Sequence, residues 1–288
     1  AYPRINPVLN GGDDSIISPE ADNITIRGFE IANGDESGVT DSVERHGVWK
    51  RGEFGVGPSN LTVEDCIIHH IQHGVRDYGD GLTVKNCEMH HLKYSGVEAS
   101  GPTSAEGGSD QPLGMTITHN WFHDWAVYSS NGIGVEIKYG NRVGEVSYNY
   151  ISGMRLCVWY NGGGPQSGFG QVVIKHNTFD LDYDLGTGPV TATNGISLWG
   201  TGSNGDQIII RDNIFANAKW YGIYQAGTTI EGSITVDNNL FYNNYWYYWP
   251  GYQYPNQWFG DDAKAQVGWD EPANGFTFTN NVTTQDPM

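Results

Sequence analysis

Two glutamates and a lysine are the residues of this sequence best placed to do chemistry together. Glu98 follows Val97 and Glu136 follows Val135 in two similar short segments, and Lys138 comes two residues after Glu136. If the segments lie side by side, each carboxylate raises the pKa of the other unless a cation lies between them. Such a pair can act as acid and nucleophile in the retaining cleavage of a glycoside, where the carboxyl groups are about 5 Å apart. It can also bind Ca²⁺ through its oxygen atoms.

A third similar segment places Arg76 and Asp77 beside this pair. In the β-elimination of a uronate, a cation neutralises the substrate carboxylate and a base abstracts a proton. Lys138, Arg76 or Arg155 could be that base. In glycoside hydrolysis, Glu98 would instead pair with Glu136 or with Asp77. A third interpretation is a solvated polar face on which Lys138 forms an ion pair with Glu136. The residues alone leave these three alternatives open.

Aromatic side chains near these segments could bind sugar rings, because the flat apolar faces of pyranoses pack on Trp and Tyr. The candidates are Tyr78, Trp159, Tyr160, Trp199, Tyr224, Trp246 and Trp249. The last two belong to residues 242–272, a stretch rich in Tyr and Trp. We expect this stretch to be a long loop on the flank of the molecule or a cap over its end, since repeat proteins need covered ends.

A phrase that recurs about nine times must position these residues. It reads apolar-Thr-apolar-x-(Asn/Asp)-(Asn/Cys)-x-apolar, and clear copies occupy 61–68, 82–89, 115–122, 208–215 and 234–241. Its alternation with a period of two predicts a strand, and a second strand follows most copies. A fixed phrase with variable spacers indicates coils that repeat, with loops between them. Without crossover helices, strands that run in one direction predict a solenoid, the parallel β-helix, of about nine coils.

The same phrase aligns a set of histidines on three successive coils. One position of the coil is a His in all three copies: His69, His90 and His123. The position after it holds His70, His91 and Asp124. Neutral imidazole and carboxylate are good ligands for transition metals. Rings stacked at the spacing of neighbouring strands would look the same in the sequence. A metal site and a plain ladder of stacked rings are therefore both compatible with the pattern.

The chain has three cysteines, of which Cys66 and Cys87 occupy the Asn position of the phrase on adjacent coils. The Cα separation expected there lies within the range of a disulfide. A disulfide and two reduced thiols are both compatible with this placement.

Composition and charge limit the classes of partner. The chain has 288 residues and a net charge of −18, which disfavours nucleic acid as a partner. An anionic polymer would need a bridging cation such as Ca²⁺, whereas a neutral glycan would not. No apolar run is long enough to span a membrane. The chain begins at Ala1 without an initiator Met, so we expect a processed, extracellular protein, and an uncapped amino end is compatible with further residues upstream.

The pattern resembles the right-handed parallel β-helix proteins of the pectate-lyase-like superfamily. The resemblance covers roughly residues 5–285 and rests on the phrases IRGFEIANG, VEDCIIHH, VKNCEMHH, ITHNWFHD, IKHNTFD, IRDNIFAN and VDNNLFYN. The superfamily contains polysaccharide lyases, glycoside hydrolases, epimerases, phage tailspikes and adhesins, so it implies a fold rather than one activity. Residues 135–141 are similar to a phrase of β-helix lyases that carries a catalytic Lys. The Arg that one such family places a coil later is absent from 158–163.

We therefore expect an all-β, right-handed parallel β-helix that forms a single domain over residues 1–288. The resemblance implies a polysaccharide as the partner. We expect cation-assisted lyase chemistry at Glu98, Glu136 and Lys138, with Ca²⁺ held between the two glutamates. A glycoside hydrolase that uses the carboxylate pair is the first alternative. A non-catalytic glycan-binding or structural solenoid, such as a tailspike, an adhesin or a filament subunit, is the second. The oligomeric state does not follow from the sequence.

Overall fold

In the computed structural model, the regular secondary structure of the described residues consists of β-strands. The described residues are 4–5, 14–32, 45–50, 59–100, 113–125, 132–138, 142–161, 171–182, 193–199, 207–218, 221–226, 232–244, 267–269 and 276–284. Their strands form three sheets, here called A, B and C. No helix in this part of the chain is long and apolar enough to cross a membrane.

The strands are numbered along the chain. Sheet A contains β1 Arg4–Ile5, β4 Glu30–Ala32, β7 Ile67–His69, β10 Glu88–His90, β13 Trp121–His123, β16 Tyr150–Ser152, β19 Thr178–Asp180, β22 Ile214–Ala216, β25 Leu240–Tyr242 and β28 Val282–Thr284. Sheet B contains β2 Asp14–Ile17, β5 Arg45–Lys50, β8 His73–Asp77, β11 Ser95–Ser100, β14 Ile133–Lys138, β17 Leu156–Asn161, β20 Asn194–Trp199, β23 Tyr221–Ala226 and β26 Val267–Trp269. Sheet C contains β3 Ile24–Arg27, β6 Leu61–Glu64, β9 Leu82–Lys85, β12 Leu113–Thr118, β15 Arg142–Ser147, β18 Gln171–Lys175, β21 Gln207–Arg211, β24 Ser233–Asp237 and β27 Phe276–Thr279.

From β3 onward, the chain passes through sheets C, A and B in turn, and every strand pairs in parallel with its equivalent on the next coil. Thr62 of β6, for example, pairs with Thr83 of β9, which pairs with Thr116 of β12. The recurring phrase forms the strand of sheet C and the turn that leads into sheet A. The predicted parallel β-helix is therefore confirmed, because each coil bonds only to its neighbours.

An apolar column in the middle of the sheet A strands forms one wall of the core. Its buried members stack in register from coil to coil and are Ile31, Ile68, Met89, Phe122, Ile151, Phe179, Phe215 and Phe241. The rings of Phe215 and Phe241 are stacked, with centroids 4.8 Å apart. The strand spacing of about 4.8 Å thus brings equivalent rings into contact.

A ladder of asparagines closes the turn between sheets C and A. Its members are Asn120, Asn149, Asn177, Asn213, Asn239 and Asn281. In each of the first five, the backbone N–H and the side-chain amide donate to the Oδ1 of the next member at 2.9–3.0 Å. The side-chain amide also donates to a carbonyl of the preceding coil, as Asn177 does to Val146. The ladder thus satisfies buried turn groups that have no partner within a strand.

Residues in the left-handed backbone region mark the same turns. The residue before each ladder member has a positive φ, for example 56° at His119 and 57° at Asp212. Gly144 has a φ of 149°, and a Cβ there would lie 1.8 Å from the carbonyl oxygen of Met115. This copy of the phrase carries Gly where others carry an apolar residue because the neighbouring backbone leaves no room for a side chain.

Candidate functional site

The candidate site lies on the outer face of sheet B, where equivalent residues of six coils are in register. In order along the sheet they are Arg76, Glu98, Glu136, Trp159, Ser197 and Tyr224. The stacking predicted for Arg76, Glu98 and Glu136 is therefore confirmed, and Trp159 takes the next position. We call this set the sheet B row.

Glycines at the start of these strands fix which side chains face outward. A Cβ on Gly96 would lie 2.6 Å from the carbonyl oxygen of Gly134 and from the ring of Phe122. The chain therefore carries Gly there, and the next residue, Val97, is fully buried in the core. Since side chains alternate along a strand, Glu98 faces away from the core.

Glu98 contacts four polar side chains. Its Oε1 lies 3.2 Å from Arg76 Nε and 3.5 Å from Lys138 Nζ, and it accepts a hydrogen bond of 2.9 Å from Ser100 Oγ. Its Oε2 lies 3.4 Å from His73 Nδ1. Burial, followed by the charges of Arg76 and Lys138, lowers the pKa of His73 well below its usual value. His73 is therefore neutral near pH 7, and the two cations balance the charge of Glu98.

Glu136 shares the Lys138 ammonium with Glu98. Its Oε1 lies 2.8 Å from Lys138 Nζ. Burial, and after it the charge of Glu98, raises the pKa of Glu136 to about 7. The two in-register carboxyls thus have different surroundings. Glu98 contacts Arg76, Lys138 and Ser100. Among the ion pairs of the described residues, Glu136 pairs with Lys138 alone.

The cations of this cluster are more accessible than its carboxylates. The side chains of Glu98 and Glu136 are 1% and 0% exposed, whereas those of Arg76 and Lys138 are 15% and 16% exposed. A solute that approaches the outer face would meet Arg76 and Lys138 first. The row is therefore not the solvated carboxylate face that a simple alternation of strand residues suggests.

Aromatic rings surround the two cations. The Arg76 guanidinium carbon lies 5.4 Å from the Trp49 ring and 5.1 Å from the Tyr78 ring, and Lys138 Nζ lies 5.8 Å from the Trp159 ring. These distances are typical of cation–π contacts. Tyr78 is only 7% exposed, so it supports Arg76 rather than presenting a face to solvent.

Trp199 is the most exposed of the predicted sugar-binding aromatics in the described part of the chain. It is 46% exposed, and its ring meets that of Trp159 edge-on at 5.8 Å. Tyr224 is half-buried, and its ring stacks on that of Tyr221 at 5.4 Å. Trp246 and Trp249 lie outside the described residues, as does most of 242–272.

Asp77 and Tyr160 face the interior and not the row, which corrects their assignment to the site. The carboxylate of Asp77 is fully buried, 3.7 Å from Lys50 Nζ and 3.9 Å from Arg142 NH2. Tyr160 is 2% exposed and packs in the hydrophobic core. Both follow an outward residue directly, so strand alternation turns them inward. Asp77 therefore cannot pair with Glu98 on the outer face.

The comparisons with known proteins concern the fold. The family model described as right handed beta helix region matches residues 6–179 and 54–283. The chain belongs to this β-helix family. No curated protein matches it. A mutant tailspike protein of E. coli bacteriophage HK620, solved in complex with a pentasaccharide, is similar with a TM-score of 0.47 and 12% identity, over 98% of this chain. The chain spans 58% of the length of that tailspike chain.

The sheet B row of this β-helix does not fit the expected calcium ion. Ca²⁺ takes six to eight oxygen ligands. Here the Lys138 ammonium contacts one oxygen of each glutamate, at the position expected for the ion. Among the described residues, no group of three or more His, Cys, Asp or Glu side chains could hold a metal ion. The Lys138 ammonium is therefore the cation that contacts both carboxylates.

The predicted histidine ladder of the β-helix is present at the turn that follows sheet A. The rings of His69 and His90 stack at 4.8 Å, and those of His90 and His123 at 5.1 Å. A second stack joins His70 to His91 at 4.8 Å. Burial, and then the neighbouring imidazoles, lowers the pKa of His90 to about 4.

The three thiols of the β-helix are free and buried, so Cys66 and Cys87 form no disulfide. Each donates to a carbonyl of the preceding coil, Cys66 to Ile26 and Cys87 to Val63. They therefore take the position of the ladder asparagines. A hydrogen bond with Cys87 is the largest cause that lowers the pKa of Cys66 to about 7.

An aromatic groove that was not predicted from the sequence lies on a different flank of the β-helix. An open groove of about 520 Å³ lies at the turn between sheets C and A, and Trp121, Tyr148 and Tyr150 line it with 42–50% exposure. The Tyr148 ring stacks between the rings of His119 and His176, at 5.0 and 4.8 Å. The available signal was an aromatic residue at turn positions that other coils fill with Asn or Asp.

Proposed function

We propose that this protein hydrolyses a polysaccharide on the outer face of sheet B, with Glu98 and Glu136 as the reacting carboxyls. The observation that carries the proposal is that two glutamates of adjacent strands, in register, share one lysine. Neighbouring strands are about 4.8 Å apart. This spacing matches the carboxyl separation of about 5 Å used in retaining glycoside hydrolysis.

The different surroundings of the two glutamates assign their roles. Glu136, whose pKa is raised to about 7, is the proton donor to the glycosidic oxygen. Glu98, which contacts Arg76, Lys138 and Ser100, is the carboxylate that attacks the anomeric carbon. Water then attacks the glycosyl ester as Glu136 takes back a proton, which releases the sugar and restores both groups.

Substrate access requires the two cations to move. Both carboxyls are buried and contact Arg76 or Lys138, whose long side chains are partly exposed. A sugar ring that stacks on Trp199 and Trp159 would approach from the adjoining coils. Its hydroxyl groups would replace the contacts that Lys138 makes with the glutamates.

Hydrolysis demands less of Lys138 than β-elimination does. A lysine that abstracts a proton must be uncharged, and Lys138 would then lose its ion pairs with both glutamates. As a cation it can stay where it is and stabilise negative charge. The lyase mechanism thus needs a rearrangement that the hydrolase mechanism avoids.

Product analysis on a panel of polysaccharides tests the proposal. We expect new reducing ends without the ultraviolet absorbance of an unsaturated uronate, and a loss of at least a hundredfold in rate for Glu98→Gln and Glu136→Gln. Glu145→Gln is the matched control, because Glu145 also pairs with a lysine, Lys175, but on sheet C. Unsaturated products would favour the lyase, and full activity of both variants would refute a catalytic role for the pair.

The aromatic groove supports a second candidate, glycan binding without cleavage. Trp121, Tyr148 and Tyr150 expose large ring surfaces in an open groove, away from the glutamate pair. If the protein only binds glycans here, Trp121→Ala and Tyr148→Ala should weaken binding to a glycan array while Trp199→Ala does not. The opposite pattern would place the glycan on sheet B.

A further inference from the structure

The histidine turns after sheet A offer paired donor atoms on three successive coils. Each pair joins the last residue of a sheet A strand to the residue that follows it. Within the pairs, Nδ1 of His69 lies 2.5 Å from Nδ1 of His70, Nδ1 of His90 lies 2.7 Å from Nδ1 of His91, and Nδ1 of His123 lies 2.8 Å from Oδ2 of Asp124.

The far nitrogens of two rings determine what must lie between the donor atoms. His69 Nε2 lies 3.2 Å from Glu30 Oε1, and His123 Nε2 lies 3.1 Å from Glu88 Oε1. A carboxylate accepts, so these Nε2 atoms carry the hydrogen and each Nδ1 of a neutral ring has a lone pair. At His123 that lone pair faces the Asp124 oxygen, which is also an acceptor. A proton or a metal ion must therefore lie between the two atoms.

The arrangement matches the way proteins prepare histidine ligands. A metal-binding His commonly donates its second N–H to a carboxylate, which orients the ring and fixes the tautomer. Glu30 and Glu88 do this for His69 and His123. Two donor atoms bound to one ion at about 2.1 Å each lie about 3.0 Å apart at a right angle and about 3.4 Å apart in a tetrahedral site. The observed separations of 2.5–2.8 Å are shorter, so the side chains must rotate apart to admit an ion.

The backbone at these turns shows that histidine is not needed for the fold. His70, His91 and Asp124 have positive φ values of 54°, 50° and 50°. Later coils place Asn217 and Asn243 at this turn, with φ values of 59° and 50°. Their amides bond directly, Asn243 Nδ2 to Asn217 Oδ1 at 3.1 Å, because an amide carries both a donor and an acceptor. Asparagine therefore closes the turn as histidine does.

We propose that the paired turns form a binding site for a late first-row transition metal ion such as Ni²⁺, Cu²⁺ or Zn²⁺. Each turn supplies two donors, and water completes the coordination. Neighbouring turns are about 4.8 Å apart, so repulsion between divalent ions limits the number bound at once. We expect one or two ions per chain. The six donor residues are His69, His70, His90, His91, His123 and Asp124.

Titration of the untagged full chain with Ni²⁺, followed by calorimetry and by the visible absorption of the ion, tests this proposal. We expect His70→Asn/His91→Asn to lower Ni²⁺ affinity at least tenfold while the far-ultraviolet circular dichroism stays unchanged, since Asn suits this turn. His119→Asn is the matched control, because His119 has a φ of 56° at another turn and its Nδ1 contacts Thr118 Oγ1 instead of a second imidazole or a carboxylate.

Two results would overturn the metal site. One is the absence of Ni²⁺, Cu²⁺ and Zn²⁺ binding to the wild-type chain at pH 7.5, which would leave ordinary hydrogen bonds within the pairs. The other is equal affinity of the wild type and the double variant. If the double variant misfolds, His91→Asn alone provides the same comparison. The site lies on sheet A, so its failure would leave the proposed hydrolysis on sheet B untouched, and the reverse also holds.

Discussion

Single residues of sheet B differ in function according to which face of the strand they occupy. Glu98 and Asp77 lie on neighbouring strands and both contact cations, yet one faces outward and the other inward. The outward cluster contains the partly exposed cations Arg76 and Lys138. The inward cluster, formed by Asp77, Lys50 and Arg142, is enclosed and can only serve the fold. Buried charges of this kind are costly unless all partners remain.

Removing the inward carboxylate should therefore destabilise the protein. Asp77→Ala leaves Lys50 and Arg142, which are 1% and 0% exposed, without their counter-charge. We expect a loss of about 3–5 kcal/mol in the free energy of unfolding, measured by urea denaturation. Glu145→Ala breaks a partly exposed ion pair with Lys175 and should cost about 1 kcal/mol or less. Equal losses in the free energy of unfolding for the two variants would show that the inward cluster contributes no more to stability than an exposed ion pair.

The raised pKa of Glu136 predicts a pH-dependent stability. The pKa of Glu136 is about 7 in the folded state, against an ordinary value of 4.5, so the folded state binds this proton more tightly than the unfolded state. The resulting stabilisation is complete below pH 4.5 and is lost as the pH rises through 7. Glu136→Gln cannot ionise. We expect the variant to gain on the wild type between pH 5 and pH 8, by on the order of 3 kcal/mol.

Denaturation curves at pH 5, 6.5 and 8 check this expectation. Glu145→Gln again serves as control, because its hydrogen bond with Lys175 lowers the pKa of Glu145. The stabilisation from that ionised carboxylate is complete above about pH 4.5 and is lost only below it. The difference between this variant and the wild type should stay constant from pH 5 to 8. A similar constancy for Glu136→Gln would mean that its carboxyl is ionised throughout.

The register of the sheet B row could be predicted from the sequence, whereas its burial could not. The register follows from local patterns such as Gly96-Val97, because alternation and coil spacing act within a few residues. Glu98 and Glu136 contact Arg76 and Lys138, which come from β8 and β14. Such side-chain contacts are not encoded in a strand pattern. Alternation alone would have assigned Asp77 and Tyr160 to the interior.

At the scale of elements, the asparagine ladder connects coils more directly than the charge clusters do. The side chain of Asn177 makes four hydrogen bonds: its Oδ1 accepts two from Asn149, and its amide donates to Val146 and Asn213. All four cross from one coil to another. The turn between sheets C and A is thus stabilised by side chains as regularly as the sheets are by backbone.

Asn177→Ala should weaken two coil interfaces at once. The change leaves the buried backbone N–H and amide of Asn149 and the Oδ1 of Asn213 with fewer partners, and each unsatisfied group costs about 1–3 kcal/mol. We expect a loss of about 3 kcal/mol or more in the free energy of unfolding. Gln171→Ala removes an exposed amide pair with Gln207 at 2.9 Å and is the matched control. A cost similar to that of the control would contradict a structural role for the ladder.

For the molecule as a whole, charge and architecture act on different properties. The solenoid places the sheet B row, the histidine turns and the aromatic groove on separate flanks. The net charge of −18 decides which polymers can approach any of them. Arg76 and Lys138 are partly exposed cations, but their charges are balanced by Glu98 and Glu136. The surface field is therefore repulsive to polyanions.

This field predicts how salt should affect glycan binding. Electrostatic interactions extend about 30 Å at 0.01 M salt and about 8 Å at 0.15 M salt. If the substrate is neutral, its association constant should be nearly independent of salt over this range, while that of a uronate oligomer should rise as repulsion is screened. Titration calorimetry with an oligouronate and its neutral methyl ester of equal length provides the matched pair. An oligouronate that binds more weakly as salt increases would instead indicate capture by Arg76 and Lys138, and it would favour lyase over hydrolase chemistry on sheet B.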